Sequence, residues 1–184
     1  ESNIGVCKTD LEGNIIWSKY YKGSILDYPY SVDETNDNSL LIAGETFAEG
    51  AGWMDMYLMK IDSAGNFKWL KTYGDSLYSS AYFVKEIEAN KIILAGDGSR
   101  DAFPNDYDII VMELDSVGNI NSFKSYGDSN RQTFKEMVKI NSTNNFLIYS
   151  YLSPFKRLLI KIDESLNTSC LNSNINFTVD SLVF

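Results

Sequence analysis

Four aspartates, Asp97, Asp101, Asp106 and Asp108, crowd the segment GDGSRDAFPNDYD (96–108) beside Phe103 and Tyr107. Segments this rich in oxygen can hold a calcium ion, which takes roughly six to eight oxygen ligands. The spacing matches no calcium-loop pattern and Arg100 sits among the acids. A solvated acidic loop is therefore the better expectation, with Asp101, Asp106 and Asp108 as the weaker metal candidates. A second long segment, GETFAEGAGWMD (44–55), carries Phe47 and Trp53. Such rings can stack on a sugar or anchor a partner, although a Trp in this place also serves to cover the edge of its own sheet. Phe47, Trp53, Phe103 and Tyr107 are thus the candidate binding residues. A pair of carboxylates can hydrolyse a glycoside if the two acids lie about 5 to 10 Å apart with divergent pKa values. Asp33, Glu34, Glu86 and Glu136 are available, but nothing around them marks one as buried or paired.

Composition closes other routes. The 184 residues include no histidine and two cysteines, which excludes a Ser-His-Asp triad, a Cys-His pair, any His-ligated metal and a four-thiolate zinc site. GETFAEG lacks the Lys and Ser/Thr of a phosphate-binding loop, and there is no nucleophile elbow. We therefore expect neither an enzyme nor a cofactor. With 25 acidic and 16 basic side chains, a net charge of -9 and no Lys/Arg run, nucleic acid is not an expected partner. No apolar run approaches the ~20 residues that span a bilayer, so membrane insertion is not expected either. No charged-then-apolar leader precedes the first apolar segment, so any targeting signal has been removed or lies outside this chain. Cys7, inside the apolar run IGVCKT, reads as a buried unpaired thiol. A bridge to Cys170 requires the fold to bring both ends together.

The elements that must position these residues repeat. VCKTDLEGNIIWSKYY (6–21), LMKIDSAGNFKWLKTYG (58–74) and VMELDSVGNINSFKSYG (111–127) share one pattern, and LIKIDESLN (159–167) is a degenerate fourth copy. Their aspartates, Asp10, Asp62, Asp115 and Asp163, are 52, 53 and 48 residues apart. A second series, LLIAGET (40–46), IILAGDG (92–98) and FLIYSYL (146–152), keeps the same register. Each period divides into four pieces rich in Ile, Val, Leu, Tyr, Phe and Trp, separated by Gly, Asn, Asp and Ser, which is strand-and-turn grammar. The best repeat reads YSVDE (30–34), SLLIAGE (39–45), DMYLMKID (55–62) and NFKWLKTY (66–73). Its third piece is apolar on both faces, so a neighbouring sheet must cover each side. In the connection that follows, Asp10, Asp62 and Asp115 can accept backbone N–H bonds, and Gly13, Gly65 and Gly118 supply the positive φ of a tight reversal. Leu166 replaces that glycine in the fourth copy, which predicts a different or strained turn.

Four short antiparallel strands per period of about 52 residues, covered on both faces, are what a β-propeller blade requires. The pattern K-I-D-x-x-G-N-x-x-W-x-K-x-Y-G, followed by L-L-I-A-G-E-T, resembles the propeller repeats of secreted and surface proteins of Bacteroidota-type bacteria. Its D-x-x-G-x-x-x-W part is similar to the tryptophan-docking turn of quinoprotein-type propellers. That likeness falls on Asp10, Gly13 and Trp17 and on Asp62, Gly65 and Trp69, while Ser122 departs from it in the third copy. The resemblance implies an all-β propeller segment over 1–172, with the first strand of each blade innermost. A half blade would span 4–21 and blades would span 28–74, 81–127 and 133–179. The last would borrow INFTV (175–179) as its closing strand, so that 173–184 is a tail, that closing strand or the start of a following segment. It also implies a secreted or cell-surface location and O-glycosylation at D-S-aliphatic sites such as Asp62-Ser63-Ala64.

Strand alternation puts the long, varied connections 44–55 and 96–108 at one end, together with 21–27 and 73–80, and recognition usually rides on such connections. The expectation is a non-catalytic binding or adhesion module for a protein or polysaccharide partner. A structural spacer and a carbohydrate-active hydrolase are the alternatives. Four periods need more than 184 residues, so about three and a half blades are expected, with further blades of a longer protein as potential partners.

Overall fold

The computed structural model describes residues 3–22, 26–47, 53–75, 77–99, 106–127, 130–140, 143–152 and 156–168. These are all-β, and no helix long and apolar enough to cross a membrane occurs among them. β1 (Asn3–Thr9) and β2 (Ile15–Lys22) form a two-stranded sheet. β3 (Asp27–Glu34), β4 (Leu40–Thr46), β5 (Asp55–Ile61) and β6 (Phe67–Tyr73) form a second sheet of four strands. β7 (Ser79–Glu88), β8 (Lys91–Ser99), β9 (Tyr107–Leu114) and β10 (Ile120–Tyr126) form a third. β11 (Gln132–Lys139), β12 (Phe146–Leu152) and β13 (Lys156–Ile162) form the last. Every strand pairing within the sheets is antiparallel and the strands of each sheet follow chain order. The sheets therefore fall where the 52-residue period places its units. Thr168 bridges Ile162 much as Phe67 pairs with Ile61, so the chain turns back beside β13. The expected closing strand 175–179 and the tail 173–184 lie outside the described residues.

Burial explains why the sheets stack. All seven residues of β5 are buried, as a strand apolar on both faces demands. One core cluster joins the first two sheets around Ile4, Ile42 and Met59. A second joins the next pair around Leu58, Leu94 and Met112, and a third joins the last pair around Val111, Phe146 and Ile160. The first strands β3, β7 and β11 run close together, whereas β6 and β10 stand further apart. Cys7 corrects the expectation of a buried thiol: it is exposed, because alternation on β1 turns Ile4, Val6 and Lys8 inward and Cys7 outward.

The repeated turn does two jobs. Within its own hairpin, Asp62 Oδ1 accepts the N–H groups of Ala64 (3.0 Å) and Asn66 (2.7 Å), while Oδ2 accepts Asn66 Nδ2 (2.9 Å). These bonds, led by those from Asn66, hold its carboxyl below the usual aspartate range. Asp10 and Asp115 repeat the arrangement, and Gly13, Gly65 and Gly118 have φ of 87°, 73° and 79°. Between sheets, the same turn receives the last strand of the sheet before it. Trp17 Nε1 donates to Ser63 O (3.2 Å), Lys19 Nζ to Asn66 Oδ1 (3.0 Å) and Tyr21 OH to Gly65 O (2.7 Å). One sheet on, Lys71 Nζ donates to Asn119 Oδ1 (2.6 Å) and Tyr73 OH to Gly118 O (2.9 Å). In the third copy Ser122 cannot supply the indole, yet Tyr126 OH still donates to Leu166 O. The W-x-K-x-Y run and the D-x-x-G-N run are thus two halves of one latch.

Leu166 keeps the turn rather than changing it. Asp163 Oδ1 accepts from Ser165 and Asn167, Leu166 sits at φ 60°, and its side chain is fully buried in the last core cluster. Strain in the backbone is set against burial of the side chain.

Candidate functional site

The described bases of the connections expected at one end are hydrogen-bonded to one another. Phe47 N–H donates to Leu26 O (3.1 Å), Ser79 N–H to Met54 O (2.8 Å) and Ser99 N–H to Tyr78 O (2.7 Å). Each bond ties the base of a long connection to the residues that enter β3 or β7. Trp53, 72% exposed, precedes the Met54–Tyr78 bridge that joins the second sheet to the third. Phe47 lies edge-on to Tyr28, with centroids 6.2 Å apart, and Tyr28, Tyr30 and Phe47 are all exposed. Tyr107 belongs to β9 rather than to a loop and carries the Arg131 guanidinium 4.6 Å above its ring. Asp101 and Phe103 lie outside the described residues.

The acidic segment reads differently once folded. β8 extends through Ser99, so Asp97 is a buried strand residue, 3% exposed, and not part of a loop. Asp108 belongs to β9, where it is buried against Gly127 and accepts Ser125 Oγ at 3.2 Å. Among the described residues no group of three Asp, Glu, Cys or His suited to a metal occurs around Asp106 and Asp108. Of the inner-strand acids, Asp33 accepts Lys85 Nζ (3.1 Å) and Glu86 N–H (2.9 Å), and Glu86 accepts Asn36 N–H (2.6 Å). They lace one sheet to the next.

Beneath the loop end is a cluster that spacing alone could have located. Tyr30, Tyr82 and Phe134 recur every 52 residues, as do Glu45 and Asp97. The rings stand in a row, with centroids 4.9 Å apart for Tyr30 and Tyr82 and 6.2 Å for Tyr82 and Phe134. Glu45 accepts Tyr30 OH (2.8 Å) and Ser80 Oγ, while Asp97 Oδ2 accepts Phe134 N–H (2.9 Å). Both carboxylates reach toward the first strand of the next sheet. Burial pushes the Asp97 carboxyl up to about 7, against the Phe134 N–H and the charges of Lys135 and Arg131 that favour its ionised form. Burial also raises the Tyr82 hydroxyl to about 12.

The Asp97 shift has a sign that can be tested. An unfolded aspartate titrates near ~3.9, so between about pH 4 and 7 the folded chain holds a proton the unfolded chain has lost. Stability from this group therefore falls as pH rises through that window, with a slope approaching ~1.4 kcal/mol per pH unit. Asp97→Asn, whose amide oxygen still accepts the Phe134 N–H, is expected to flatten the slope. Urea unfolding at pH 5 and pH 8 measures it; parallel profiles for the two proteins refute the assignment.

Neither a family model nor a curated protein matches the chain.

Proposed function

We propose that the sheets are blades of a β-propeller segment acting as a non-catalytic binding or adhesion module of a secreted or surface-exposed bacterial protein. Face-to-face packing of successive antiparallel sheets, with first strands close together and last strands apart, supports the propeller reading. The repeat pattern, similar to that of Bacteroidota-type propellers, supports the location. One observation carries the binding role: Tyr28, Phe47 and Trp53 stand exposed at the end where the long connections emerge. Aromatic faces presented on a rigid scaffold suit the apolar face of a sugar ring or an anchor residue of a protein. The row of rings and the Glu45 and Asp97 bonds beneath them hold this end in place.

A glycan array and a pull-down with the whole chain test this reading. Trp53→Ala is expected to abolish capture while changing stability by no more than about 0.5 kcal/mol, because the side chain is exposed. Capture unaffected by Trp53→Ala and Phe47→Ala would refute the site, and persistent blanks would favour a structural spacer.

A further inference from the structure

Strand pairing fixes which residues of the second, third and last sheets are equivalent at the end of the long connections. Glu45, Asp97 and Tyr151 correspond, because they pair with Met56, Ile109 and Arg157 on the third strands. Tyr30, Tyr82 and Lys135 are the bulged residues of the first strands. Leu26, Tyr78 and Arg131 stand just before those strands. Four places that hold one acid and no cation in the second sheet, and again in the third, thus hold three cations and no acid in the last. Neighbouring sheets pack through apolar clusters in every case, so the fold does not call for these cations. Aromatic rings hold them. The Arg131 guanidinium lies 4.6 Å from the ring centroid of Tyr107, while Lys135 (4.9 Å) and Arg157 (4.8 Å) share the ring of Tyr151. All three cations are exposed, and the ion pairs among the described residues, Lys60–Asp37, Lys85–Asp33 and Lys91–Glu113, use others. Arg131 and Lys135 both act on the Asp97 carboxyl, but that acid is buried and accepts the Phe134 N–H. A ring face orients a cation without cancelling its charge.

We propose that this cluster is a subsite for an acidic polysaccharide, with Arg131, Lys135 and Arg157 taking the carboxylate or sulfate groups of its sugar rings. A chain of net charge -9 repels a polyanion at long range, so attraction has to be local, where cations gather. Cations on two separate rings suit a chain that carries its charges at intervals better than one small ion. The guanidinium forks match either oxyanion in bidentate fashion. Ring faces favour a glycan over an acidic peptide. Tyr149 stands edge-on to Tyr151 with centroids 5.7 Å apart, and the apolar face of a pyranose packs on such rings, whereas a glutamate stem has no face to offer. The inference rests on the reading of this end as a binding surface, but on residues other than Phe47 and Trp53.

Binding of the full chain to dextran sulfate and to polygalacturonate, with neutral dextran and polyglutamate alongside, tests the assignment. At least one of the two acidic polysaccharides is expected to bind, more weakly as salt rises, and the tighter of them names the substituent. Arg131→Gln, Lys135→Gln and Arg157→Gln are expected to weaken binding about twofold each and roughly tenfold together. Lys8→Gln, Lys68→Gln and Lys124→Gln, on β1, β6 and β10, change the net charge equally and should leave binding unchanged. Lys135→Tyr with Arg157→Met copies the residues of the second sheet, a combination the fold already accepts, and should weaken binding about fourfold. Equal losses in the two triple variants overturn the proposal. So does polyglutamate or neutral dextran bound as tightly as either acidic polysaccharide, or the binding of neither. Trp53→Ala separates this subsite from the exposed aromatics: an acidic polysaccharide that the variant still captures upholds the cluster and not the aromatics. A neutral glycan lost with Trp53 but indifferent to the Gln substitutions does the reverse.

Discussion

Gly96→Ala is expected to lower the unfolding free energy by roughly 3 kcal/mol, read from the midpoint shift in urea. Opposite this residue β7 bulges between Ala81 and Phe83, which drives the Ser80 carbonyl toward the glycine. A Cβ built at Gly96 would sit 1.8 Å from that oxygen and 3.0 Å from the Ala81 Cα. These are backbone atoms of a buried strand, so no side chain can swing aside. Moving them also disturbs Ser80, whose hydroxyl bonds to Glu45. Gly13→Ala is the informative comparison. Its φ of 87° makes any side chain strained, but nothing lies within 4 Å of the added carbon. Only the cost of a left-handed non-glycine residue remains, about 1 to 2 kcal/mol. Equal losses at the two positions would mean that the strand pair yields and the close approach does not matter.

Leu166→Gly is expected to destabilise the chain by about 2 kcal/mol even though it relieves strain. The left-handed backbone at φ 60° costs leucine about 1 to 2 kcal/mol. Against that, the side chain is fully buried with Val111, Phe146 and Ile160, and truncating such a leucine typically loses about 2 to 5 kcal/mol. Burial wins. Leu166→Ala keeps the strained φ and loses nearly all the burial, so it should be the less stable variant. The expected order in urea is wild type, then Gly, then Ala. A glycine variant at or above wild type would show that strain outweighs packing.

The unit of the fold was legible because two independent series, one anchored on Asp10, Asp62 and Asp115 and one on the A-G-E/D run, keep the same spacing. The turn was legible for a chemical reason: an aspartate followed by glycine and asparagine has few other uses. What misled was Gly96-Asp97-Gly98. Two glycines around an acid look like the opening of a loop, yet here they are central strand residues, the first because β7 bulges toward it and the acid because it accepts the Phe134 N–H. Neither cause lies within five residues of Asp97 in the chain. Cys7 misled in the opposite way. An apolar run suggests two covered faces, and whether a second sheet lies over β1 depends on packing the run itself does not encode. The Tyr30, Tyr82 and Phe134 row was readable in principle, since the spacing is constant; one aromatic among many on a first strand gave no reason to look.

The latch between sheets has a polarity: the last strand of one sheet gives Tyr, joined by Lys19 or Lys71 in the first two copies and by Trp17 in the first, and the turn of the next sheet receives them. A repeat of about 52 residues therefore carries one donor and one acceptor, whichever residue it is counted from. Duplicating or deleting it whole joins a donor to an acceptor at the new junction without inventing an interface. An array wired this way can lengthen by copying its own coding segment, and each copy is free to diverge in its long connections as long as the Tyr and the turn aspartate are retained.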